Sequence, residues 1–84
     1  MSKFQPHATH DPDADAIYVY LTDSQVARSQ PLDDLRIIDF SADGGVIGVE
    51  FVGVSGGIDL SDLPFPEKVE ELINELNLGI KIFA

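Results

Sequence analysis

Apolar and polar positions change period along the chain, and the changes mark the elements. From Leu35 to Val52 the sequence LRIIDFSADGGVIGVEFV holds two short apolar runs joined by Ser41-Ala42-Asp43-Gly44-Gly45. Ile, Val and Phe favour strands, and Asp-Gly supplies the left-handed backbone of a tight turn, so this stretch predicts a β-hairpin. With Asp43 and Gly44 central, Phe40 faces Ile47, Ile38 faces Val49 and Arg36 faces Phe51. One face is then almost wholly apolar, which sets the register when it packs on a core. The opposite face sets Leu35, Ile37 and Asp39 against Val52, Glu50 and Gly48, and a bulge at Gly45 would shift these pairs.

Before the hairpin, residues 1–9 are polar and without period and read as a flexible N-terminal arm, leaving residues 10–84 as a single small domain. His10 to Ala16 is a turn rich in Asp with one Pro. In Ile17-Tyr18-Val19-Tyr20-Leu21 the aliphatic residues share one face and the tyrosines the other, a strand by period and composition. Val26 to Gln30 returns as a polar edge strand, with Arg28 discouraging further pairing and Pro31 ending it.

Beyond the hairpin, three glycines between Gly53 and Gly57 break the pattern, and Ile58 to Pro64 reads as a bend or a helical turn. A helix starts near Pro66, where proline's missing N–H costs nothing. Val69, Leu72, Ile73 and Leu76 form one apolar stripe on it, and Gly79 suits its C-terminal cap. Ile80, Ile82 and Phe83 are too apolar for a free tail and dock as a short strand or pack under the helix. The expected fold is α+β: a four-stranded antiparallel β-meander with one C-terminal helix packed on one face.

Composition narrows what such an object can do. At 84 residues the chain is one domain that buries only about 60 to 65% of its unfolded surface, so a homo-oligomer is expected. The absence of cysteine removes disulfides and thiolate chemistry and fits a cytoplasmic protein. No apolar run is long enough to cross a bilayer. With 15 Asp and Glu against 5 Lys and Arg, the formal charge of −10 opposes binding to nucleic acid or to anionic membranes. It favours a basic protein partner or a cation, and it also keeps a small protein soluble.

Several motifs stand in order: Asp11-Pro12-Asp13-Ala14-Asp15-Ala16-Ile17-Tyr18, then Leu32-Asp33-Asp34, Ile37-Ile38-Asp39-Phe40, and Asp43-Gly44-Gly45-Val46-Ile47-Gly48-Val49-Glu50. Together they resemble the YuzE-like family of small bacterial domains of unknown function, over roughly residues 10 to 54. His10 stands where that family usually has Tyr. The resemblance implies a small meander sheet with a helix, often oligomeric, and an antitoxin-like role beside small toxin-like proteins. It implies no catalytic residues.

Other motifs invite chemistry that their context opposes. Gly53-Val54-Ser55-Gly56-Gly57 matches the G-x-S-x-G nucleophile elbow, yet His7 and His10 precede the serine and the chain cannot build the elbow's sheet. Asp11, Asp13 and Asp15 imitate the start of a calcium loop, but Ala16 stands where glycine is required and Thr22 where glutamate is required. His7 and His10 with these aspartates are a weak transition-metal set.

Asp39 and Glu50 share a sheet face with Tyr18 and Tyr20, where two carboxylates could divide acid and base roles. The expectation is a non-enzymatic interaction module with no cofactor and no metal site. Its interaction face is formed by Tyr18, Tyr20, Ile37, Asp39, Glu50 and Val52, because tyrosine concentrates at interfaces and one helix covers only one face. The alternative is a small metal-dependent or carboxylate-based enzyme.

Overall fold

The computed structural model describes residues 3–83. Five strands form one antiparallel sheet: β1 (His7–Asp11), β2 (Ala16–Tyr20), β3 (Arg28–Asp33), β4 (Arg36–Phe40) and β5 (Val46–Val52). Their spatial order is β1-β2-β5-β4-β3. A 3₁₀ turn (Val54–Gly56), strand β6 (Ile58–Asp59), helix α1 (Pro66–Asn74) and strand β7 (Ile82–Phe83) follow.

The hairpin register agrees with the expected one over most of its length. Arg36, Ile37, Ile38 and Asp39 oppose Phe51, Glu50, Val49 and Gly48. The ladder then shifts, so Phe40 opposes Val46 and Ile47 is the extra residue, rather than the pair Phe40–Ile47.

The four-stranded meander gives way to a five-stranded Greek-key order, for two reasons. Ile17 and Val19 are almost completely buried, so β2 must lie inside the sheet and takes the apolar β5 as neighbour. The wholly exposed β3 can sit only at an edge, beside β4. The other edge of β2 is then covered by β1, with His7 opposite Tyr20 and His10 opposite Ile17. The expected loose arm therefore gives up residues 7–9 to a strand, and residues 1 and 2 lie outside the described residues. Pro31 does not end β3 but sits within it, tolerated because an edge strand has one unpaired side. Arg28 lies over the Phe40 ring at 4.4 Å.

The core lies between one sheet face and the C-terminal half. Ile17, Val19, Ile38, Val49 and Phe51 pack with Val54, Ile58, Leu60, Leu63 and the helix stripe of Val69, Leu72 and Ile73. The segment read as a bend supplies the short strand β6 and three core residues. β6 pairs in parallel with β7, Ile58 opposite Ile82, so the apolar tail docks as a strand. The helix stops at Asn74, before the expected cap, and Asn77 and Gly79 carry the left-handed turns that follow.

One cation is buried in this layer. Arg36 points into the core face beside Phe51, and its guanidinium donates to Asp33 Oδ2 (2.8 and 3.0 Å), to the Asp59 carbonyl (3.0 Å) and to the Ser61 carbonyl (2.5 Å). The bond from Arg36, with the Leu35 N–H, holds the Asp33 carboxyl below its ordinary range.

Candidate functional site

Strand alternation sends every second residue of β2, β4 and β5 to the face away from the helix. There Tyr18, Glu50 and Ile37 form one row across the sheet, and Tyr20, Gly48 and Asp39 the next. Val52 lies opposite Ala16 on the same face and donates its N–H to the Leu35 carbonyl at 2.9 Å. All six residues expected to form an interaction face are thus on one surface, each half-buried.

The missing side chain at Gly48 organises that surface. A Cβ there would lie 2.7 Å from Tyr18 Cε1 and 2.8 Å from Tyr18 Oη, so the tyrosine ring lies across the glycine. Its hydroxyl thereby reaches the next row and donates to Asp39 Oδ2 at 2.6 Å. Ser29 on the edge strand donates to Asp39 Oδ1 at 2.5 Å. On the other side the Tyr20 ring packs 4.4 Å from Tyr18 and stacks on His7 at 4.7 Å, with Phe4 beyond His7 at 5.8 Å. An aromatic row therefore runs from the arm to a doubly bonded carboxylate.

The two carboxylates of this face have different surroundings. Both oxygens of Asp39 are taken by hydroxyl donors. Glu50, between Tyr18 and Ile37, has no hydrogen bond or ion pair among the described residues. No hydrogen bond joins it to Asp39. Ser29 and His7 were not among the expected face residues. His7 fell in the supposed arm, whose polar sequence shows no strand period.

The other sequence motifs resolve into turn structure. Asp11 Oδ1 accepts the N–H groups of Asp13 (3.1 Å) and Ala14 (3.2 Å) and so closes the β1–β2 turn. Asp15, in the left-handed region at φ 53°, accepts the Ser55 N–H at 3.0 Å and the Ser55 hydroxyl at 2.8 Å. The serine of the G-x-S-x-G match therefore tethers the 3₁₀ turn to the β1–β2 turn. His7 and His10, three apart on a strand, point to opposite faces and do not converge. Among the described residues no three His, Asp or Glu side chains gather as metal ligands.

The segment that builds this face is also the segment that is related to other proteins. A family model described as "Protein of unknown function (DUF2283)" matches residues 7–55, from the first residue of β1 to the serine that bonds Asp15. The chain belongs to the DUF2283 family. No curated protein and no solved structure matches it significantly. The DUF2283 segment holds the whole five-stranded sheet and all six face residues, while α1, β6 and β7 lie beyond it. No helix among the described residues is long and apolar enough to cross a membrane.

Within the DUF2283 sheet, Tyr18 is the group whose titration reports the site. Burial first, and then the bond to Asp39, raise its hydroxyl pKa well above the ordinary value near 10. A group raised on folding stabilises the fold fully below its unfolded pKa and withdraws that stabilisation as pH rises through the folded value. Removing the only other tyrosine with Y20F leaves Tyr18 as the sole chromophore. In that variant, tyrosinate absorbance is expected only above the ordinary range and together with loss of structure by circular dichroism. Adding Asp39→Asn should bring the absorbance to lower pH. Titration of Y20F at the free-tyrosine value would show that the Tyr18–Asp39 contact does not persist in solution.

Proposed function

We propose that this DUF2283 chain is a non-enzymatic protein-interaction module that takes a basic segment of another protein on the helix-free face of its sheet. The observation that carries this is Glu50: a half-buried carboxylate between a tyrosine and an isoleucine, with no hydrogen bond or ion pair among the described residues. A charge partly withdrawn from water gains most when a cation with its own N–H donors arrives. The half-exposed rings of Tyr18 and Tyr20 near it offer aromatic surface to an arginine or lysine, and Ile37 and Val52 offer apolar surface to its stem. The formal charge of −10 steers such a partner in.

This face disfavours a second copy of itself, because a two-fold contact there sets Asp39 and Glu50 against their own counterparts. The YuzE-like resemblance supplies a setting, antitoxin-like neutralisation of a small basic protein, and the lack of cysteine suits the cytoplasm.

Amide chemical shifts recorded during titration with extended peptides of matched length and opposite net charge test this. Cationic peptides are expected to shift Tyr18, Tyr20, Ile37 and Val52, and to bind more weakly as salt rises. Glu50→Gln should weaken that binding about tenfold. If no cationic peptide perturbs these residues, or if Glu50→Gln leaves affinity unchanged, the proposed face is wrong.

A further inference from the structure

Between the β1–β2 turn, the 3₁₀ turn and residues 78–81 lies a cavity of about 520 Å³. Its lining brings together polar groups that are far apart in the chain: His10, Asp15, Ser55 and Lys81. His10 is opposite Ile17 in the β1–β2 ladder and so shares its face, the side on which the helix packs, away from Tyr18 and Glu50. Val54, Leu78 and Ile80 add apolar wall. A cavity of that size holds a small organic molecule.

Hydrogen bonding decides what kind of molecule suits it. Asp15 is the one carboxylate in the lining, and both of its oxygens are engaged by Ser55, through the N–H at 3.0 Å and the hydroxyl at 2.8 Å. The donors are not engaged. His10 is half-buried, and its ring makes no hydrogen bond among the described residues. Lys81 makes no ion pair among them, and its ammonium lies 5.6 Å from the centre of the Phe83 ring. Arg36 and Lys68, by contrast, each have an acidic partner. The N–H groups of Leu78, Gly79 and Ile80, at the cavity wall, also have no partner among the described residues. Spare donors beside a satisfied acceptor call for a ligand that brings acceptor oxygens.

We propose that this cavity binds a small organic monocarboxylate, its oxygens taken by His10, Lys81 and the free N–H groups of residues 78–80, its hydrocarbon body laid against Val54, Leu78 and Ile80. One ammonium beside one carboxylate favours a single negative charge on the ligand. A phosphate group, with a charge of about −1.5 to −2 near neutral pH, meets more repulsion from Asp15 and from a chain of net charge −10. The site joins the family-matched segment, which supplies His10, Asp15 and Ser55, to the tail, which supplies Lys81 and the free amides.

Amide chemical shifts of the full chain recorded during titration with hexanoate test this. Hexanoate is expected to shift Ser55, Leu78, Gly79 and Ile80 with a Kd of about 1 mM or below. Hexanamide, with the same body and no charge, and inorganic phosphate should each bind at least about tenfold more weakly. Lys81→Gln, a change at an exposed residue, should weaken hexanoate about tenfold and leave thermal stability unchanged. His10→Ala should weaken it too, and Glu50→Gln should leave it intact. Hexanoate that leaves these amides unmoved, or that binds no better than hexanamide, overturns the proposal. So do an affinity indifferent to Lys81→Gln and a phosphate that binds more tightly than hexanoate.

Discussion

Replacing Arg36 with alanine is expected to lower stability by about 3 kcal/mol, and the unfolding midpoint by about 15 °C for a chain of this size. Among the described residues the guanidinium is the only donor that reaches both the Asp59 and the Ser61 carbonyl, and a hydrogen bond from a charged donor is worth about 1.5 kcal/mol or more. Asp33 adds little to the loss, since 45% of its side chain is exposed and water replaces the partner. Arg36→Met keeps most of the apolar volume and so isolates the hydrogen-bond loss from the cavity.

Arg36 lies in the family-matched sheet, and its two carbonyl partners lie beyond that match, so the first amides to lose exchange protection should be those of β6 and β7. Calorimetry and hydrogen exchange read both effects. A loss below about 1 kcal/mol in Arg36→Met would show that water takes over the carbonyls without penalty.

The second large effect belongs to Gly48. A methyl group at this position would stand 2.4 Å from the Val19 carbonyl oxygen, closer than any real contact, and under 3 Å from the Tyr18 ring. The ring can swing away, but the carbonyl is part of the β2–β5 ladder and cannot move without opening it. Gly48→Ala is expected to cost about 1–3 kcal/mol, the usual range for overpacking a tight site, and Gly48→Val more. The helix-free face should change as well. Once Tyr18 is pushed off the glycine, its hydroxyl no longer reaches Asp39, and the tyrosine should titrate at lower pH. Full stability in Gly48→Ala, with the Tyr18 titration unmoved, would show that the ring does not rest on the sheet.

These residues mark where sequence reasoning succeeds and where it fails. The hairpin pairs from Arg36–Phe51 to Asp39–Gly48 were legible because the pattern and its Asp-Gly turn are contiguous, and period-two alternation then assigns faces. The same alternation placed Tyr18, Tyr20, Ile37, Asp39, Glu50 and Val52 on one surface. The neighbour of β2 was not legible, because strand pairing between residues as far apart as Ala16 and Val52 depends on which strands are apolar enough to lie inside, a comparison made only when the core assembles. His7–Asp11 was missed for a related reason. Its polar sequence has little strand signal, and it is a strand because the open edge of β2 needs a partner.

The hairpin, its turn and the two-sidedness of its strands were determined by the sequence itself, since each follows from residues close together in the chain and from backbone geometry alone. Tertiary structure decided what those faces mean. It set Gly48 under Tyr18, gave Asp39 two hydroxyl donors from different strands, left Glu50 without one among the described residues, and closed Arg36 onto carbonyls more than 20 residues away. Each of these depends on groups brought together only by packing, and a hydrogen bond or a steric contact acts over a few ångströms whatever the distance along the chain.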